Sequence, residues 1–72
     1  MASRPVIVYP PSVTGGRRVR ADGTILGLAH RLADVVEFLR RAGLGLDEFE
    51  VATSPLIEWR GGGPDAWPEP AP

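Results

Sequence analysis

His30 and Asp34 stand four residues apart, close enough to meet on one side of a helix. A carboxylate so placed orients an imidazole and raises its proton affinity, which is the beginning of an acid–base pair. No serine or cysteine nucleophile accompanies them at a recognisable spacing. The pair therefore reads as local support at a helix start, no catalytic residue is assigned, and no enzymatic activity is expected. One histidine is too few for an imidazole-based metal site, and a chain without cysteine has no thiolate site, so neither metal nor cofactor is expected. Gly61-Gly62-Gly63 follows a strand-like run, a position where glycines cradle phosphate. No lysine and no helix follow it, and Pro64 removes a donor, so it reads as a linker.

The arginines carry the other chemistry. Arg17, Arg18 and Arg20, joined by Arg4 and Arg31, have the makings of a basic surface. On a two-stranded ribbon such groups neutralise phosphates, and Tyr9 and Trp59 offer planes for stacking bases. The net charge of −1 argues against that use, because nucleic-acid domains are generally basic. An acidic protein partner would use the same arginines. Trp67-Pro68-Glu69-Pro70 resembles a proline-rich peptide ligand in composition, without a spacing signature, and reads as bare tail. Trp59 belongs either to the core, with its indole N–H seeking a partner, or to an interface beside Ile25 or Ile57.

Lysine, asparagine and glutamine are absent, so every basic side chain other than His30 is arginine. That bias points to a GC-rich coding genome and a bacterial source, and it weakens any inference from arginine in place of lysine. Residues 1–41 carry a charge of +4 and residues 42–72 a charge of −5. The two halves pair within one fold or between molecules, or both are simply solvated. At 72 residues the chain has room for one small core and no disulfide to reinforce it, so self-association is one available source of stability. No stretch approaches a membrane span or a signal-peptide core, and a cytoplasmic location is expected.

These side chains must be positioned by few elements. Val6-Ile7-Val8-Tyr9 is a short strand closed by Pro10-Pro11. Asp22-Gly23 between two strand-like runs is the signal for a type I′ hairpin. A two-residue loop sets Ala21 opposite Thr24, Arg20 opposite Ile25 and Val19 opposite Leu26. One face then presents Val19, Ala21, Leu26 and Leu28 to the core, and the other presents Arg18, Arg20, Ile25 and Gly27. Leu32, Val35, Val36, Leu39 and Ala42 repeat as one helical stripe, with Phe38 at its edge and Gly43 as the terminator. The helix starts between Ala29 and Leu32. Beyond it, either Asp47 caps a short helix or Phe49–Thr53 is a strand; Leu56–Arg60 reads as the last strand.

The expected architecture is α+β: a small antiparallel sheet in β-β-β-α-β order, one amphipathic helix on one face, and a disordered C-terminal tail. Residues 4–61 form a single domain and residues 62–72 a flexible Gly/Pro-rich tail. The expected function is a non-enzymatic protein–protein interaction or regulatory module. It binds an unidentified protein or itself, not a membrane, through Arg18, Arg20, Ile25 and Trp59. The alternative is a nucleic-acid-binding accessory protein that uses the arginine-bearing hairpin face.

Overall fold

The computed structural model describes residues 5–13 and 15–67. The chain runs β1 (Val6–Val8), β2 (Arg17–Ala21), β3 (Thr24–Ala29), α1 (Leu32–Arg41), α2 (Glu48–Thr53) and β4 (Ile57–Trp59). The four strands form one sheet in the order β3-β2-β1-β4. The α+β class is as expected. The sheet is mixed, however: β2 runs antiparallel to both β1 and β3, while β4 lies parallel to β1, with Val6 beside Ile57 and Val8 beside Trp59. A chain that leaves one edge of the sheet through two helices re-enters at the other edge, and the local sequence does not dictate its direction there.

The hairpin turns at Asp22-Gly23, where both residues take positive φ (50° and 81°), as a type I′ turn requires. Its first two pairs are Ala21–Thr24 and Arg20–Ile25. There the expected register ends, because a bulge between Val19 and Arg20 sets Val19 opposite Gly27 and Arg18 opposite Leu28. The core face of β3 therefore carries Gly27 instead of Leu28, and Leu28 turns outward to 43% exposure. The cause lies in another element. The Phe38 ring of α1 presses on this strand so closely that a Cβ on residue 27 would sit 2.8 Å from its Cζ. Only glycine leaves that space.

α1 buries Val35 and Leu39 and leaves Ala42 exposed at its end. The Gly43 N–H donates to the Arg40 carbonyl (3.1 Å) and the Leu44 N–H to the Leu39 carbonyl (2.8 Å), which closes the helix as a Schellman motif. α2 answers the open question over residues 47–53 in favour of helix. A capping box decides it: Asp47 Oδ1 accepts from the Glu50 N–H (2.8 Å), and Glu50 Oε1 accepts from the Asp47 N–H (3.0 Å). The core is small and valine-rich: Val6, Val8, Val19, Ala21, Ala29, Val35, Leu39, Val51 and Ile57. Both helices contribute to it from one side, and the other side of the sheet stays open.

Candidate functional site: the uncovered sheet face

The strand pairs determine which residues share the open side. Ile7 lies between Arg20 and Glu58. Arg20 lies beside Ile25, and Arg18 beside Leu28. Directly paired residues point to the same face, so β2 lays down an arginine column next to an apolar column from β3. Arg18 and Arg20 are exposed, and Ile25 is 58% exposed. Tyr9 continues the row from β1. Its hydroxyl accepts from Arg20 Nη1 at 3.2 Å, and its ring lies 5.5 Å beneath the Arg60 guanidinium. Arg60 also donates to Glu58, and that bond holds its pKa above the ordinary guanidinium value. Arg18 has no charged or hydrogen-bonding partner among the described residues.

Of the four residues singled out in the sequence, Arg18, Arg20 and Ile25 come together on this face. Trp59 does not join them. It pairs with Val8 on the opposite, helix-covered side, half-buried against the core, and its Nε1 is buried without a partner among the described residues. His30 and Asp34 do meet, but through the backbone: the His30 N–H donates to Asp34 Oδ2 at 2.8 Å, so the carboxylate supports the entry to α1. No group of three or more histidine, cysteine or acidic side chains is gathered for a metal ion among the described residues.

Arg17 departs furthest from expectation. The two-residue period that turns Val19 and Ala21 inward turns Arg17 inward as well, and it is completely buried. Every guanidinium N–H meets a main-chain carbonyl. Nε donates to Tyr9 O (2.8 Å), Nη1 to Gly63 O (2.8 Å) and Ala66 O (2.9 Å), and Nη2 to Arg60 O (2.9 Å) and Gly62 O (2.8 Å). The group also sits 5.3 Å from the centroids of both Trp59 and Trp67, whose rings meet edge to face at 6.2 Å. Burial lowers its pKa from the ordinary value by desolvation, yet a guanidinium remains charged at any physiological pH.

The glycine run read as a linker thus supplies carbonyls to a buried cation. Residues 62–67, placed in the tail by the sequence reading, lie against Arg17; Trp67 Nε1 donates to Pro64 O at 2.7 Å. Residues 68–72, including the rest of the Trp67–Pro70 segment, fall outside the described residues, as does Arg4. Strand parity was the signal that could have placed Arg17. Nothing local announces that residues more than forty positions away would enclose it.

No family model, no curated protein and no solved structure matches this chain.

Proposed function

We propose that the protein is a non-enzymatic protein-binding module whose docking surface is the open sheet face around Arg18, Arg20, Ile25 and Leu28. The observation that carries this reading is the pairing of an exposed arginine column with an exposed apolar column on the one side of the sheet that no helix covers. Such a surface suits a partner that presents carboxylates around an apolar anchor: the charges steer and orient it, and desolvation of the anchor contributes affinity. A nucleic-acid role has less support. Trp59 faces the other way, and the ring of Tyr9 is already covered by Arg60, so no free stacking platform accompanies the arginines. The setting is a reducing cytoplasm, in keeping with a chain that has no cysteine.

The test compares the wild-type chain with an Arg18→Ala/Arg20→Ala variant as baits in native cell extract. Each captured protein is then purified and titrated against both baits. Direct binding that weakens at least tenfold in the variant supports the reading. Unchanged binding removes the arginine face as the docking surface. Titration with mixed DNA and RNA at low salt is the companion measurement, and binding there that depends on the same two arginines would favour the nucleic-acid reading instead.

A further inference from the structure

The acidic half of the chain carries an apolar group as conspicuous as those of the arginine face. Phe49, in the first turn of α2, is 75% exposed, and its neighbours in the chain, Asp47, Glu48 and Glu50, are all exposed. Asp47 and Glu50 are held in place by their capping box, while Glu48 has no partner among the described residues. An exposed phenyl ring with carboxylates on either side of it in the chain is the complement of an Ile25/Leu28 column flanked by Arg18 and Arg20. The scale also agrees. Adjacent strands lie about 4.8 Å apart and alternate residues of one strand about 7 Å apart, so an inserted ring between Ile25 and Leu28 is within reach of both arginines.

The two surfaces cannot meet within one molecule. α2 belongs to the helix layer through Val51, and the arginine face is on the far side of the sheet. We infer that the occupant of the open face is a second copy of this chain, which docks its Phe49-bearing acidic helix between Ile25 and Leu28. This inference rests on the reading of that face as a docking surface and names its partner. The contact is head-to-tail, since it joins two different patches, so each added copy leaves one patch of each kind free. Assembly continues with concentration unless the rotation closes into a ring. The opposed charges also make it sensitive to salt.

Sedimentation of the full chain tests this over about 10 μM to about 1 mM, the range of weak association. The expected result is an average mass that rises with concentration at low salt and returns toward the monomer in about 0.5 M salt, where charges are screened within a few ångströms. Two variants then separate the patches. Arg18→Glu/Arg20→Glu spoils the sheet face and keeps α2; Glu48→Arg/Phe49→Ala does the reverse. Each alone should sediment as a monomer, and their equimolar mixture should form a heterodimer and nothing larger, because only one competent contact remains. Should circular dichroism show either variant unfolded, Arg18→Gln/Arg20→Gln and Phe49→Ser take their places. A wild-type chain that stays monomeric throughout overturns the inference. So does a variant that associates like the wild type, or a mixture that remains monomeric. In any of those cases the capture experiment still decides whether the face binds another protein.

Discussion

A charged group with no ion-pair partner among the described residues is the most consequential residue in this fold. Arg17 is tolerated because five carbonyl oxygens and two indole faces replace the water it loses. Removing it leaves those carbonyls without donors. Arg17→Met should therefore lower unfolding free energy by about 2–4 kcal/mol, as expected for losing hydrogen bonds to a buried charge. Arg17→Lys keeps the charge but offers three donors in a compact head to a planar ring of five acceptors, and should cost roughly 1–2 kcal/mol. Denaturant unfolding measures both. A red shift of tryptophan emission in the native state should accompany them, as Trp59 and Trp67 become wet. A lysine variant as stable as the wild type would show that the fork geometry is unimportant. The sequence reading placed Arg17 on a basic surface, although parity with Val19 was a signal that could have turned it inward. Its ligands had no such signal, because they are main-chain carbonyls, of Tyr9, Arg60, Gly62, Gly63 and Ala66, which carry no side-chain signature of the role.

At the scale of elements, the bulge in β3 and the cap of α2 govern which side chains face where. Gly27→Ala drives a methyl group against the Phe38 ring at a backbone φ of 156°, and should destabilise by about 1–2 kcal/mol. The clash has a single named partner, so Phe38→Leu should recover part of the loss when combined with it. A double-mutant cycle that gives simple additivity would disprove the contact as the cause. Asp47→Ala removes one side of the capping box and should cost about 1 kcal/mol, read as a lower thermal midpoint. The hairpin turn, the stripe of α1 and its glycine terminator were legible because each is a local matter of φ or of periodicity. The shift of Leu28 from the core to the open face was not, since it depends on the bulk of a ring eleven positions from Gly27 in the chain.

For the whole molecule, the question is how so short a chain stays folded with nine buried apolar residues among those described, most of them valine. No disulfide is available. The return of residues 61–67 onto Arg17 ties the end of the fold to β2 and acts as the staple that small domains require. The open face is left out of that scaffold. Arg18→Ala/Arg20→Ala should accordingly change stability by no more than about 0.5 kcal/mol, as exposed substitutions do, while altering binding. Chemical unfolding alongside the capture assay checks this. A large loss of stability would mean that the face serves the fold rather than a partner.

The local elements were determined by the sequence itself: the turn at Asp22-Gly23, the α1 stripe ending at Gly43, and short strands closed by Pro10 and by Gly61. Each rests on the dihedral preference of one or two residues, or on a repeat within a dozen. The direction of β4, the bulge opposite Val19, the inward side of Trp59 and the enclosure of Arg17 were decided by tertiary structure alone. Each of these depends on space and on hydrogen-bond acceptors supplied by another part of the chain. The arginine face stands between the two. Its residues were evident from strand alternation, but Leu28 became part of it only when a ring from α1 claimed the place next to Gly27.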